Sequence, residues 1–121
     1  MLPKKYRLPL RTEFNRIKKE GKLIQGSLFG LLVAPQISNG IETDINQASR
    51  FAFIISNKVS KKAVIRNRLR RWLSEVIWSL KNETKKNFDG VFLVKKLMTE
   101  VNYFQVKEEV RLILQKAKLI S

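Results

Sequence analysis

The residues best suited to chemistry in this sequence are basic, and they cluster in one segment. Between Ile45 and Ser74 there is no aspartate or glutamate, whereas eight lysines and arginines occur there. Four arginines fall within six positions, at Arg66, Arg68, Arg70 and Arg71, and they follow Lys58, Lys61 and Lys62. A guanidinium group binds phosphate oxygens through a planar pair of N–H donors. The pattern therefore predicts a surface that binds a phosphate-rich polyanion.

The charge of the whole chain supports the same prediction. Its 121 residues include 25 Lys and Arg against 10 Asp and Glu, which gives a formal net charge of +15. A small domain needs a net charge of only about 2 to 8 for solubility. The excess is repulsive unless a partner neutralises it, and nucleic acid, an anionic membrane surface and an acidic protein are the partner classes that fit.

Side chains that could support catalysis by the polypeptide itself are scarce. The chain has no cysteine and no histidine, which excludes disulfides, thiolate zinc sites and a cysteine nucleophile. Metal-assisted hydrolysis would then need clustered carboxylates. The ten acids are scattered, and close neighbours occur only at Glu42/Asp44 and Glu108/Glu109. We therefore predict no catalytic and no metal-binding side chains.

Apolar segments of the length that targeting or membrane insertion requires are also missing. No apolar run approaches the ~18 residues of a membrane span, and the first ten residues lack the apolar centre of a signal peptide. We expect a cytoplasmic protein.

The basic segment has the periodicity of a helix with one buried stripe. On a helical wheel, about a third of the circumference holds the apolar residues Ile65, Leu69, Trp72, Leu73, Val76 and Leu80. Arg66 and Arg70 flank this stripe on one side, and Arg68 and Arg71 on the other. Arg66, Arg68 and Arg70 have no carboxylate four positions away to pair with, and Arg71 alone has one at that spacing, Glu75. We therefore expect the stripe to pack on a sheet and the arginines to bind phosphates.

Trp78 falls opposite the apolar stripe, close to Arg71 on the wheel. Two interpretations are open for an exposed tryptophan at this position. It either leans on a neighbouring side chain or binds a base or a protein.

The rest of the pattern predicts one α+β domain over residues 1–121. Residues 1–11 form a basic arm with two prolines, Thr12 caps a short helix, and Gly21 ends it. Strands are predicted at residues 22–25, 27–34, 50–56 and 91–94, the basic helix extends to about residue 82, and Asn102 caps a last helix. This order of elements predicts helices packed on one sheet.

Two connections interrupt this pattern. The polar stretch Gln36–Ser49, with a turn signal at Asn39-Gly40, predicts a long surface loop. Asp89-Gly90 predicts a turn immediately before the fourth strand.

One segment matches a known family motif. Residues 56–71, SNKVSKKAVIRNRLRR, resemble the signature of the bacterial ribonuclease P protein subunit, S-x-K-x-(G/S)-K-A-V-x-R-N-R-(I/L)-(K/R)-R. The flanks are also similar to that family, at Arg7-Leu8, Glu13-Phe14, Gly21, Phe29, Asp89-Gly90-Val91 and the final KAKLI. The resemblance covers nearly the whole chain.

The resemblance implies a particular fold. It is a small two-layer α+β domain similar to the second domain of ribosomal protein S5, with the order α-β-β-β-α-β-α and a left-handed βαβ crossover. The order of strands and helices in the sequence would by itself have favoured a right-handed crossover, which is the usual form between parallel strands.

The resemblance also implies a function. In that family a large RNA uses Mg²⁺ to remove the 5′ leader from precursor tRNA, while the protein docks on that RNA and holds the leader in a cleft. The implied partners are ribonuclease P RNA and precursor tRNA, with no membrane and no small-molecule substrate. Mg²⁺ would be held mainly by the partner RNA and the substrate, and not by protein side chains alone.

Two sets of residues follow from the family positions. The RNA-binding set comprises Lys58, Lys61, Lys62, Arg66, Asn67, Arg68, Arg70 and Arg71, together with Arg7 and Arg11 of the arm. The leader-cleft candidates are Phe14, Lys18, Phe29 and Leu32, although family members often carry aromatics where this chain has Lys18 and Leu32. Phe14 and Phe29 also suit a buried seam between a helix and a sheet, so both interpretations are open.

Other function classes share some of these features. A structural RNA-binding protein of ribosomal type, with no enzymatic partner, would share the charge and architecture. A helix-in-groove DNA-binding protein is disfavoured because no second helix adjoins the basic one. A membrane-surface helix is disfavoured because the apolar stripe is needed for the core.

Overall fold

The computed structural model describes residues 2–36 and 47–121. The helices are α1 (Leu10–Glu20), α2 (Ala63–Ser79) and α3 (Tyr103–Lys116), and the strands are β1 (Lys22–Ile24), β2 (Phe29–Pro35), β3 (Arg50–Ile54) and β4 (Phe88–Val94). Short 3₁₀ helices occupy Lys4–Tyr6 and Lys96–Glu100. The predicted order α-β-β-β-α-β-α is confirmed.

The four strands form one mixed sheet in the order β1-β2-β4-β3. β2 pairs antiparallel with both β1 and β4, whereas β3 pairs parallel with β4. Because α2 connects these two parallel strands, β3, α2 and β4 form the βαβ unit that the family resemblance implies. The left hand of its crossover stays a prediction.

Side chains that alternate along the strands divide the core between the two faces of the sheet. On one face Phe29, Leu31 and Phe92 pack beneath α2 and α3. On the other face Leu32 and Val91 pack with α1. The sheet with α2 and α3 is the expected two-layer domain, and α1 adds a partial layer on the opposite face.

The first helix begins earlier than predicted. Pro9, and not Thr12, occupies the N-cap position, and the Thr12 hydroxyl donates to the Pro9 carbonyl at 3.3 Å. The fixed φ of proline suits a helix start, so the arm passes directly into α1. Gly21 ends the helix as predicted. Glycine is needed at this position, because a Cβ would lie 2.3 Å from the Ile17 carbonyl oxygen.

The prediction of a turn at Asp89-Gly90 is wrong, since both residues lie inside β4. Gly90 is required there by close packing, because a Cβ would meet two ring atoms of Phe51 at 2.9 Å. Asp89 is fully buried and is held by the polar contacts described below.

Helix α2 buries the predicted apolar stripe, and helix α3 begins at its predicted cap. In α2, Leu69, Leu73 and Val76 are buried and Trp72 packs partly against them. In α3, Asn102 forms a capping box with Gln105, whose side chain bonds back to the Asn102 N–H. Tertiary burial thus stabilises α2 along the side that the sequence indicated.

The predicted surface loop Gln36–Ser49 lies mostly outside the described residues, which omit 37–46. Its two ends are fixed to the sheet. Gln36 Nε2 donates to the Phe88 carbonyl of β4 at 3.1 Å, and the Phe88 N–H donates to Ser49 Oγ at 3.0 Å. In the described part of the chain, no helix is long and apolar enough to cross a membrane.

Candidate nucleic-acid interface

The first half of α2 presents a continuous polar surface. Asn67, Arg68 and Arg71 are exposed, and Arg66 and Arg70 are half-buried at the edge of the packed stripe. We call these five residues the basic helix face. The structure therefore brings together the predicted Arg-Asn-Arg residues on one side of one element.

Local contacts orient the guanidinium groups of this face without neutralising them. Arg66 donates to the Ser60 carbonyl at 2.8 Å, and Arg70 donates to the Asn67 side-chain oxygen at 3.1 Å. Arg68 lies over the Trp72 ring, 5.3 Å from its centroid. Within residues 2–36 and 47–121, the arginines that form ion pairs are Arg16, Arg50 and Arg111. The basic helix face keeps its full positive charge for a ligand.

The loop before α2 adds three exposed lysines, which we call the lysine loop: Lys58, Lys61 and Lys62. Its backbone is shaped by serine hydroxyls, since the Lys58 N–H donates to Ser56 Oγ and the Lys62 N–H donates to Ser60 Oγ. The first N–H groups of a helix and its dipole attract anions. The lysine loop therefore extends the positive surface to the start of α2.

The N-terminal arm brings Arg7, but not Arg11, to this surface. The arm runs parallel to the edge strand β3, where Arg7 pairs with Phe51 and the Leu8 N–H donates to the Phe51 carbonyl at 3.0 Å. Arg7 and Arg70 line the same small pocket. Arg11 is exposed on the first turn of α1, the helix that packs on the other face of the sheet.

A second surface lies beside α1 on that other face. Ile17 is buried against Leu32 in the sheet, and Phe14 packs partly against the same cluster. The neighbouring row of paired residues on this face runs across three strands. In it, Gly30 of β2 pairs with Leu93 of β4, which pairs with Ile54 of β3. Gly30 is buried, whereas Leu93 and Ile54 are only half-buried, so these two side chains form a partly open apolar floor that we call the α1 cleft.

The four predicted cleft residues do not all lie there. Phe14 and Leu32 are on the α1 side of the sheet, and Lys18 is exposed on α1. Phe29 is not in the cleft, which corrects the prediction. It is 1% exposed and its ring packs edge-on against Phe92 beneath α2 and α3. Phe29 points to the opposite face because side chains three positions apart on a strand, such as Phe29 and Leu32, alternate faces.

A buried charge network fixes α1 to the sheet next to the cleft. Arg50 donates to both Asp89 carboxylate oxygens at 2.9 Å, and Arg16 donates to one of them at 2.5 Å. Arg16 also donates to Glu13 at 3.1 Å and to the Pro35 carbonyl at 2.8 Å. The network thus links α1 with β2, β3 and β4.

Both arginines are held in their charged form. The hydrogen bond from Arg50 to Asp89 raises the pKa of Arg50 against the opposing effect of burial. Burial tends to lower the pKa of Arg16, but its hydrogen bonds to Glu13 and Asp89 outweigh that effect and raise it. Both guanidinium groups therefore stay charged throughout the neutral pH range.

Sequence reasoning missed this network and the cleft floor. Arg16, Arg50 and Asp89 are far apart in sequence, and the Asp-Gly pair carried a turn signal instead. The floor residues Ile54 and Leu93 could have been found from strand alternation, since each follows a residue of the opposite face. Nothing in the sequence indicated that α1 would cover only part of that face.

No group of three or more Asp and Glu side chains is arranged to hold a metal ion in residues 2–36 and 47–121. The carboxylates of Glu13 and Asp89 are instead engaged by arginines. The described surfaces are suited to binding polyanions.

Comparison with known proteins gives consistent matches. The family model described as Ribonuclease P matches residues 2–118. A ribonuclease P protein component from Microcystis aeruginosa is 35% identical over 98% of this chain and 96% of the relative.

Solved structures are similar over most of the chain as well. The RNase P protein from Thermotoga maritima, solved with 1-(4-fluorophenyl)-2-thiourea, has a TM-score of 0.75 at 33% identity, and covers 89% of this chain and 96% of that one. The Staphylococcus aureus RNase P protein has a TM-score of 0.80 at 21% identity, over 96% of this chain and 98% of that one, and supports the fold alone.

Proposed function

The chain belongs to the ribonuclease P protein family, and on that basis we propose that it binds ribonuclease P RNA through the basic helix face and the 5′ leader of precursor tRNA along the α1 cleft. It is a protein subunit of an endoribonuclease that processes tRNA. The observation that carries the proposal is the unneutralised basic helix face on α2.

The basic helix face supports the RNA contact by its geometry as well as its charge. Arg68 and Arg71 are exposed, and the half-buried stems of Arg66 and Arg70 limit the freedom of their guanidinium groups. Less side-chain entropy is then lost on binding, which favours affinity. The lysine loop and Arg7 extend the same surface, so that several phosphates could be bound at once.

The leader is assigned to the α1 cleft because that surface combines an apolar floor with a cation. Leu93 and Ile54 are half-buried beside Phe14, whose ring can stack an unpaired base for about 1–3 kcal/mol. Lys18, one turn further along α1, is exposed and can bind a leader phosphate. A cleft of this kind accepts single-stranded RNA with little dependence on sequence.

We propose that the partner RNA carries the active site and that the protein acts by positioning the substrate. The ligands of Mg²⁺ would come mainly from phosphates of the RNA and the substrate, and that ion would supply the activated water. The protein's own contribution is electrostatic. Its cations lower the repulsion between two RNA molecules, which reduces the magnesium concentration needed for their association.

Reconstitution tests this function. The purified chain is mixed with a bacterial ribonuclease P RNA and precursor tRNA at a magnesium concentration at which the RNA alone is slow. We expect faster release of the 5′ leader and a mature tRNA 5′ end. The matched control is a chain in which Arg66, Arg68, Arg70 and Arg71 are replaced by glutamine, with folding checked by circular dichroism.

Two results would count against the proposal. One is no gain in cleavage over the RNA alone. The other is an equal gain from the glutamine control, which would mean that the basic helix face is not the docking surface. Tight binding to unrelated structured RNA without any gain in cleavage would favour a structural RNA-binding protein.

A further inference from the structure

A cationic pocket lies where the N-terminal arm crosses the C-terminal end of α2. It encloses about 330 Å³ and is separate from the basic helix face. Its lining comes from the arm, β3, α2 and the segment before β4, and includes Lys5, Tyr6, Phe51, Ile77, Lys81 and Lys86.

Tyr6 lines this pocket, and Trp78 lies just outside the lining, against Tyr6 and beside Glu75. Trp78 is 43% exposed, and its ring packs perpendicular to that of Tyr6 with 5.5 Å between the centroids. The Lys81 ammonium lies 4.0 Å from the centre of the Trp78 ring, and the Lys5 ammonium lies 5.6 Å from that of Tyr6. The tryptophan does lean on neighbours, as one sequence interpretation held, but a large part of it remains open to solvent.

The polar groups of the pocket are selective for an anion. The hydroxyls of Ser49 and Thr84 already donate to backbone carbonyls. In the described part of the chain, no carboxylate lines the pocket or forms an ion pair with Lys5, Lys81 or Lys86. The lysine ammonium groups are donors only and carry uncompensated charge, so they favour a ligand with anionic oxygens.

We propose that this pocket binds an unpaired segment of RNA, with a phosphate on the lysines and a base against Trp78 or Tyr6. Aromatic stacking beside a positively charged groove is the usual arrangement for single-stranded nucleic acid. A free inorganic anion or an acidic peptide would not need the aromatic wall. Trp78, next to the pocket, lies on the same side of α2 as Arg71 and follows it by seven residues, a distance of about 10 Å.

Two sources of such RNA are possible, namely the RNA subunit and the leader of precursor tRNA. The α1 cleft, to which the leader is assigned, lies on the opposite face of the sheet from α2. RNA that crosses the basic helix face reaches the pocket without passing round the sheet. We therefore assign the pocket to the RNA subunit, and this assignment alone depends on the proposed function.

The test uses the fluorescence of Trp78 in the full-length chain. The sequence has two tryptophans, so Trp72→Phe leaves Trp78 as the single emitter. Titration with a short unstructured oligoribonucleotide should quench this emission to saturation. Lys81→Ala with Lys86→Ala should weaken the binding at least about fivefold, and should reduce the log–log salt slope by about 0.7, the contribution of one phosphate contact of a single strand.

The matched control removes two other exposed lysines, Lys22→Ala and Lys107→Ala, which lie on β1 and α3 and do not line the pocket. This control should quench as the parent does. Circular dichroism checks the folding of every variant, and Lys81→Gln with Lys86→Gln replaces the alanine pair if that pair does not fold.

Three results would overturn the proposal: no quenching at saturating oligoribonucleotide, an equal loss of affinity in the control, or equal quenching by inorganic phosphate at the same concentration. Separate titrations with ribonuclease P RNA and with a free leader oligonucleotide identify the source. Quenching by the leader alone would keep the pocket but overturn its assignment to the RNA subunit. Because the oligoribonucleotide arm contains no ribonuclease P RNA, its result is independent of the cleavage assay.

Discussion

Arg16 and Asp89 are 73 positions apart in sequence, yet Arg16 Nη2 donates to Asp89 Oδ2 at 2.5 Å. Asp89 is fully buried, and Arg50 binds the same carboxylate at 2.9 Å through two nitrogens. This relationship joins α1 to the centre of the sheet. It therefore fixes the position of Phe14 and Lys18 above the floor of the α1 cleft.

Asp89→Asn should destabilise the fold strongly. The amide has nearly the same shape but leaves Arg16 and Arg50 without their shared charge, and breaking a buried ion pair costs about 3–5 kcal/mol. Denaturant unfolding monitored by circular dichroism measures this loss. Glu83→Gln is the control, because Glu83 pairs with Arg111 at 3.4 Å on the exposed surface and such pairs contribute about 1 kcal/mol or less. Equal losses in the two variants would contradict the buried role of Asp89.

Replacing Arg68 and Arg71 by alanine should weaken binding to ribonuclease P RNA and flatten its salt dependence. Each phosphate contact that is lost lowers the log–log slope by about 0.7 to 0.9. Filter binding at several salt concentrations measures the slope. The control removes the same charge from α3 with Lys107→Ala and Lys116→Ala, and should leave the slope unchanged. An unchanged slope in the arginine variant would mean that both side chains are only solvated.

Alanine substitutions at Phe14 and Phe29 should affect different properties, namely tRNA binding for Phe14 and fold stability for Phe29. Phe14→Ala should weaken binding of precursor tRNA by about fivefold or more and leave mature tRNA binding unchanged, because only the precursor has a leader to stack. Phe29→Ala should instead cost about 3–5 kcal/mol of unfolding free energy, because it opens a cavity against Phe92. Binding titrations with both tRNAs and an unfolding curve test the pair. Equal losses on both tRNAs would make Phe14 a core residue as well.

Alanine substitutions at the two strand glycines, Gly90 and Gly30, should differ in their effect on stability. Gly90→Ala places a Cβ 2.9 Å from the buried ring of Phe51, and overpacking of this kind costs about 1–3 kcal/mol. Gly30→Ala meets nothing closer than 3.5 Å and should be neutral or stabilising by about 0.5 kcal/mol. Thermal unfolding of both variants measures the contrast. A Gly90→Ala protein as stable as the parent would show that Phe51 can move aside.

Tyr103 should give the fold a dependence on alkaline pH. Burial, assisted by the charge of Glu75, raises the pKa of Tyr103 above its ordinary value. The unfolded chain then loses this proton first, so the stabilisation is complete below the ordinary tyrosine pKa and is lost as the pH rises through the raised one. Unfolding curves at increasing pH measure the decline. Tyr103→Phe should reduce it, and an identical decline in that variant would place the effect elsewhere.

Much of the fold could be predicted because local pattern and tertiary burial agree along the chain. The stripe of Leu69, Leu73 and Val76 indicated which side of α2 packs, and the apolar runs at residues 27–34 and 50–56 indicated two strands of the sheet. The N-cap of α1 was predicted at Thr12, three residues too late, because Pro9 can start a helix as well. Asp89 and Gly90 were misread because the same dipeptide suits a turn and a close-packed strand, and only neighbours such as Phe51 distinguish the two.

The sequence by itself determined the single-signed surface, since a run of arginines without carboxylates cannot be neutralised locally whatever the fold. Tertiary structure alone decided which distant groups meet. It placed Phe29 in the core and Phe14 at the cleft, joined Arg16 and Arg50 to Asp89, and set Tyr6 of the arm against Trp78 of α2. The reason is physical: periodicity specifies the side of an element on which a residue lies, whereas contacts between elements depend on strand order and on the face that each helix covers.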